Sequence, residues 1–468
     1  MLLSEDVILN IYVGAILTKK KQILQSSRYL AVEVLEKIEQ EDAYSNLLLR
    51  EVINNHELSK EEANLLTELV YGVLQRRMLL DYQLEPFLKK QKKISHWVRQ
   101  LLRVSLYQME FLDRIPDHAI LNEAANIARV RGHRGIVGFV NGVLRNIQRK
   151  GVRQPTQLQP INKRLSIQYS LPQWLIDEFI NLHGKKEAEE FAESFSQRPK
   201  LSLRVNLNRI SREAAINELR EEGFEGSKST VSPYGIIIEK GVPVNSRLFK
   251  EGYLAVQDES SMLVAPALKV KPSHYVLDAC AAPGGKTMHI ATNFLEQEKG
   301  GKVVALDVHD HKVHLIKENA KRLGVEEVVE AKRLDARQVL DQFEPETFDR
   351  VLVDAPCSGL GLMRRRPEIR YNKTKKDILS LQKLQLEILN EASKTLKSGG
   401  ELIYSTCTIT EEENQEVVRQ FLEQNKQFFR KKVELAENEL QVSEDGSLTI
   451  YPHQFDTDGF FICRLKKQ

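Results

Sequence analysis

Over residues 25–150 apolar side chains return every three or four positions, the spacing of helices with one buried face. SSRYLAVEVLEKIEQ opens on serines suited to an N-cap. SKEEANLLTELVYGVLQRRMLLDYQL follows as a helix, with Ser59 and Glu62 in the order of a capping box. HWVRQLLRVSLYQMEFLDRI, HAILNEAANIARVRG and GIVGFVNGVLRNIQRK continue the pattern. This predicts an all-α domain of five or more helices. From about 160 to 250 the pattern mixes: QWLIDEFINLHG and SREAAINELREEG read as helices, KLSLRVNL and GIIIEK as strands. A small α+β module is predicted there. From about 252 strands alternate with helices: HYVLDAC, GKTMHIATNFL, KVVALDV, HKVHLIKENAKRLG, DRVLVDAP, DILSLQKLQLEILNEASKTL and GELIYSTC. That order predicts a parallel, doubly wound α/β sheet of Rossmann-like type. The tail SLTIYPHQFDTDGFFICRL reads as a closing antiparallel pair. The expected organisation is an extension over 1–24 with poor order, a helical domain over 25–155, the module over 156–250 and the α/β domain over 251–468.

A length of 468 residues exceeds what one ordinary core covers, so several domains are expected. With 41% hydrophobic and 28% charged residues the chain reads as a soluble globular protein. The formal net charge of +3 says little, but its distribution says more. Residues 95–165 hold twelve Lys/Arg against four Asp/Glu, a local net of +8 that suits a polyanion. The four cysteines (Cys280, Cys357, Cys407 and Cys463) form neither a disulfide framework nor a CxxC metal pattern. No metal is expected, and a reducing cytoplasm is the natural compartment. The apolar opening MLLSEDVILNIYVGAIL is interrupted by Glu5 and Asp6, and its positive run follows rather than precedes it. It reads as neither a signal peptide nor a membrane span.

Candidate chemistry gathers at the ends of the α/β strands. VLDACAAPGGKT, residues 276–287, runs from a strand through small residues into a helix, and Gly284 and Gly285 let backbone approach a ligand closely. The turn lacks both the G-x-G-x-x-G and the GxxxxGK[ST] spacing, which weighs against hydride transfer and NTP hydrolysis. Asp307 ends the next strand and suits the two hydroxyls of a ribose, while Asp335 lies where it could meet an adenine amino group. DAPCSGLG and YSTCTIT each set a cysteine just past a strand, Cys357 and Cys407. Spacing does not decide which of the two is the nucleophile. MRRRPEIRY adds Arg364, Arg365 and Arg366, whose forks suit phosphates, and Tyr371, which offers a stacking face.

DACAAPGGKT, DAPCSGLG with RRRPEIRY, and YSTCTITEEEN resemble the RNA cytosine-5 methyltransferases that use S-adenosylmethionine. The helices LTELVYGVLQRRMLLDYQL, LLRVSLYQMEFLDRIPDHAILNEA and GFVNGVLRNI resemble the RNA-binding domain of the NusB antitermination factor. The likeness begins near residue 25. It implies a NusB-like domain, a small RNA-binding module and a class I methyltransferase domain, bound to S-adenosylmethionine. The cofactor loop is then Cys280, Ala281, Ala282, Pro283, Gly284, Gly285 and Lys286, with Asp307 at the ribose, Asp335 at the adenine and Asp354 between methyl donor and base. It also implies that Cys407 is the nucleophile and that Cys357 assists product release. Asp354 would orient the base and, if protonated, donate to its ring nitrogen-3. The implied substrate is a cytosine of 16S ribosomal RNA, at position 967 by the resemblance. Transfer RNA, or a non-catalytic role in ribosome assembly or antitermination, are the competing readings. A cytoplasmic monomer without membrane association is expected. Cys280 and Cys463 are expected only to pack.

Overall fold

The computed structural model describes residues 18–41, 43–88, 93–294, 300–435 and 440–468. The chain divides into two compact units, 1–196 with Arg365–Asn372, and Gln197–Arg364 with Lys373–Gln468. The expected extension lies outside the described residues as far as residue 17, and residues 18–24 are helical.

The first unit is built from α1 (Ser27–Glu41), α2 (Ser45–Asn55), α3 (Lys60–Gln75), α4 (Arg77–Leu88), α5 (His96–Phe111), α6 (Asp117–Arg131), α7 (Arg134–Lys150), α8 (Ile161–Tyr169) and α9 (Gln173–Ser194). Leu30, Leu66, Leu69, Leu101, Leu102 and Leu144, spaced as the periodicity requires, meet in one core. The Ser59–Glu62 capping box opens α3, each side chain bonding the other's backbone amide. The stretch read as a single helix is two, because Arg76 leaves helical geometry at φ −122° and ψ 18°. The helix α2 was not foreseen. α8 and α9, which lie past the expected boundary at 156, pack with this unit. Among described residues no helix is long and apolar enough to cross a membrane.

The second unit holds two sheets. The smaller contains β1 (Leu201–Val205), β2 (Glu225–Lys228), β3 (Gly235–Lys240) and β4 (Leu254–Val256) in the order β2-β3-β1-β4, with α10 (Arg212–Glu221) joining β1 to β2. Ser211 caps α10 on the amide of Ala214. The larger contains β5 (Tyr275–Asp278), β6 (Lys302–Asp307), β7 (Val329–Arg333), β8 (Phe348–Asp354), β9 (Leu396–Thr406), β10 (Phe428–Lys431), β11 (Leu448–Ile450) and β12 (Phe460–Lys467). Its order is β10-β12-β9-β8-β5-β6-β7, with β11 also on β12. Strands β5 to β9 run parallel; β11 and β12 form the antiparallel pair that the tail's pattern predicts, and β10, not predicted, also joins β12 antiparallel.

Both faces of the parallel strands are covered. Val276, Val303, Ala305, Leu352 and Ile403 enter one core, with Met288 and Ile290 of α11 (Gly285–Ala291) and Ile316 of α12 (Asp310–Leu323). The alternating neighbours Leu277, Val304, Val351, Val353 and Leu402 enter the other. There they meet Ile388 and Leu389 of α13 (Lys375–Lys394) and Val418 and Phe421 of α14 (Gln415–Gln424). Burial of each such side chain contributes about 1.5–3 kcal/mol. A sheet held on both faces keeps its chemistry at the carboxyl ends of the strands.

Candidate active site

Neighbouring strands β8 and β9 run parallel with Asp354 level with Ser405. Cys357 lies three residues past the first and Cys407 two past the second, so equal register brings two distant cysteines to one place. Their sulfurs are 3.3 Å apart, and both side chains are partly exposed. The hydrogen bond with Cys407, and then burial, push the Cys357 thiol well above its usual range. Below them the chain crosses itself closely. The amide of Gly361 donates to the Cys407 carbonyl at 3.1 Å, and that of Gly459 to the Gly361 carbonyl at 3.0 Å. A Cβ on Gly361 would stand 2.0 Å from the Gly459 oxygen, which only glycine avoids.

Asp354 accepts from the Lys286 ammonium at 2.7 Å through Oδ2 and from the Ser405 hydroxyl at 2.8 Å through Oδ1. Burial would lower the proton affinity of Lys286, but Asp354 outweighs it, with Cys407 and Asp278 adding, and the ammonium is held. Lys286 is thus a second proton-bearing group beside the expected Asp354.

The cofactor loop follows β5. The amide of Ala279 donates to Leu352 at 2.9 Å and that of Ala281 to Leu306 at 2.8 Å, which ties the loop to both neighbouring strands. Gly284, at φ +100°, turns the chain into α11. Pro283 offers its carbonyl to Asn319 at 3.0 Å, while Ala281 is buried and Ala282 partly so. Asp307 ends β6 and receives the His309 amide at 3.0 Å. Asp335 follows β7 and holds Arg337, which draws its carboxyl below the usual range. Burial raises the Cys280 thiol well above its usual value, and Asp278, Asp354, Asp307 and Asp335 add to the rise. Four carboxylates thus bear on one loop. That donor set fits a ligand with a positive sulfur, vicinal hydroxyls and an amino group, as S-adenosylmethionine has.

Three residues were not singled out in the sequence. Asp278, fully buried, accepts from Thr287 at 2.6 Å, and burial lifts its carboxyl to about 7. Ser405 holds Asp354. Glu413, fully buried, receives hydrogen bonds from Ser358, Thr408, Thr410 and Gln385. The stretch EEEN is a turn, and α14 begins only at Gln415, which leaves Glu413 free to point inward. Cys463 is buried in β12, as expected of a packing residue.

The expected RNA contacts behave differently. Arg364 is 2% exposed and its guanidinium is engaged by Asp456 and the Thr457 carbonyl, so it is not presented to a phosphate. The next residues, Arg365–Asn372, belong to the helical unit. There Arg366 lies 5.6 Å over the Tyr44 ring. Tyr371 donates to the Leu74 carbonyl at 2.6 Å and has Arg77 3.6 Å over its ring, so that face is not offered to a base. The basic patch is also smaller than its count. Arg103, Arg131, Arg153 and Arg164 pair with Asp81, Glu36, Glu85 and Glu189. Arg134, Arg145, Arg149 and Lys150 of α7 remain exposed.

A doubly covered parallel sheet with an acid-ringed glycine turn fits the methyltransferase class. Residues 265–466 match the family described as 16S rRNA methyltransferase RsmB/F, residues 25–149 the NusB family, and residues 171–245 the ferredoxin-like domain of RsmF/B-like methyltransferases. The chain is 47% identical to the probable ribosomal RNA small subunit methyltransferase B of Bacillus subtilis over 95% of its own length and 99% of the relative's. It is 34% identical to ribosomal RNA small subunit methyltransferase B of Shigella flexneri, over 96% and 100%. The solved structure of PH0851 superposes with a TM-score of 0.80 at 28% identity, covering 95% of this chain and 99% of that one. NSun6 from Pyrococcus horikoshii with SFG gives 0.56 at 26%, covering 63% and 98%. The chain belongs to the RsmB/F family of methyltransferases, with a NusB domain, a ferredoxin-like module and a methyltransferase domain.

Proposed function

We propose that the protein methylates carbon-5 of a cytosine in small-subunit ribosomal RNA, with S-adenosylmethionine as donor. The observation that carries this reading is the pair of sulfurs 3.3 Å apart beside the Lys286–Asp354 ion pair. Carbon-5 of cytosine is a poor nucleophile while the ring is aromatic. Addition of the Cys407 sulfur to carbon-6 forms a C–S bond and moves the ring electrons to carbon-5. Either sulfur can donate in the contact between them; with Cys357, whose thiol is raised well above its usual range, as the donor, negative charge on Cys407 is stabilised before attack. Lys286, fixed by Asp354, donates to the ring nitrogen where charge builds up. S-adenosylmethionine, held by the residue 280–286 loop, Asp307 and Asp335, supplies a methyl group on a positive sulfur. Release requires a base to take the carbon-5 proton; the C–H electrons re-form the carbon-5–carbon-6 double bond, the C–S electrons return to Cys407, and Cys357 assists this step. A ribosomal substrate is supported by the names of the relatives and by the exposed basic face of α7.

RNA carrying the target cytosine, incubated with cofactor, tests the reading. Cys407→Ala abolishes methyl transfer. Cys357→Ala leaves RNA bound to the protein through denaturing electrophoresis. Exchange of those two outcomes would overturn the roles.

A further inference from the structure

Glu413 lies two residues before α14, and its carboxylate sits between the two cysteine loops. Oε1 accepts from the Ser358 amide at 2.8 Å and from Gln385 Nε2 at 3.0 Å. Oε2 accepts from the Ser358 hydroxyl at 2.5 Å and the Thr410 hydroxyl at 3.0 Å. The Thr408 hydroxyl lies 3.2 Å from Oε2 and 2.8 Å from Ser358 Oγ, so its one proton is shared between them. Ser358 follows Cys357 and Thr408 follows Cys407, so one carboxylate bridges the residue after each sulfur. Gln385 ties the carbonyl of Pro356, just before Cys357, to the same cluster at 3.0 Å. The Tyr404 hydroxyl anchors the Glu413 carbonyl at 2.6 Å.

A buried carboxylate held only by neutral donors is costly, and apolar packing would close the same space more cheaply. What apolar packing would not do is hold two turns at one separation. A carboxylate has four acceptor positions at fixed angles, and here they are shared between the loops. We propose that Glu413 is a positioning residue that sets the Cys357–Cys407 separation and thereby the rate at which the covalent RNA adduct is released. This rests on the cysteine roles proposed above. Glu413 hydrogen-bonds neither sulfur; it holds them through Ser358 and Thr408, and its charge also helps raise the Cys357 thiol. Its loss leaves Cys407 able to attack and Cys357 out of place to assist.

Glu413→Gln tests this, because the amide sets an N–H against one of the donors in a cluster built of donors. Two readouts separate the positioning from the cysteine roles. The first needs no RNA: phenylarsine oxide bridges two neighbouring thiols, and its affinity reports their separation in the free protein. It is expected to fall about tenfold or more in Glu413→Gln. The second is the adduct. With RNA and cofactor, Glu413→Gln, with both cysteines intact, is expected to accumulate denaturant-resistant adduct. Release should slow about 100-fold, the scale on which misplacement by about 1 Å acts. Cofactor affinity should hold. Thr410→Val, which removes one donor and keeps the carboxylate, shifts both readouts the same way by less, and provides the test if Glu413→Gln does not fold. Unchanged phenylarsine oxide affinity in both variants would overturn the positioning role. Weakened affinity with no build-up of adduct would uphold the positioning and overturn the release role of Cys357.

Discussion

Cys357 and Arg364 stand seven residues apart in one polar, motif-rich stretch, yet the fold treats them in opposite ways. The cysteine stays partly open to solvent, its one close sulfur partner a second reactive group. The arginine is buried, its charge committed to Asp456 and a backbone carbonyl. A buried guanidinium with both Nη atoms bonded inside the protein is not open to a substrate. The difference lies in whether the neighbouring element leaves the group unfinished. Past the ends of β8 and β9 it does; beyond Gly361 the chain folds back on itself and uses up what it carries.

The contrast can be tested hardest at Gly361, where the open region meets the closed one. Gly361→Val places a Cβ against backbone on both sides and is expected to cost several kcal/mol and abolish methyl transfer, read by thermal unfolding and single-turnover assay. Arg364→Ala comes next. It should cost about 2–3 kcal/mol, less than a fully buried pair because Lys200 still reaches Asp456 at 2.8 Å. The slope of log affinity against log salt should not change, whereas a shallower slope would return Arg364 to the RNA interface.

Asp278 sharpens the comparison from the side of the site. Its folded carboxyl, at about 7, lies above its unfolded value, so the native state binds the extra proton. Stability from this group is full below about pH 4 and falls as pH rises towards 7. Asp278→Asn should flatten that part of the stability-against-pH curve, measured by denaturant titration. Tyr371→Phe leaves the Leu74 carbonyl without its donor and should cost about 1 kcal/mol, with RNA affinity unchanged. The smallest effect falls on α7. Changing Arg145 and Arg149 together to Ala should leave unfolding nearly unaltered and reduce the salt slope by about 2.

Much of the fold was legible because periodicity and caps act locally. The capping box at Ser59, the strand ending at Asp278 and the antiparallel tail all follow from patterns within a few residues. That Cys357 and Cys407 each lie just past a strand was legible from the alternation of elements; that they meet follows from the adjacency and register of β8 and β9, which the structure supplies. What stayed hidden depends on partners far along the chain. The arginine run looks the same whether it faces solvent or the carboxylate of Asp456, 92 residues away. Glu413 sits in EEEN, a stretch as acidic as any solvated helix start. Only the turn that delays α14 to Gln415 sends it inward. A helix break at Arg76 leaves no mark in the apolar spacing on either side.

The strip 365–372 leaves the sheet-bearing unit, joins the helical one and returns within eight residues. There Arg370 donates to the carbonyls of Gln75, Tyr169 and Phe195, and Glu368 accepts from the amide and hydroxyl of Ser45. A fragment cut after residue 196 would therefore lack a piece of its own interior, with four carbonyls, Leu74's through Tyr371 among them, and a serine losing partners. The helices are not a detachable cassette. Recombination that swapped them between relatives would have to carry eight residues from the far half of the gene along with them.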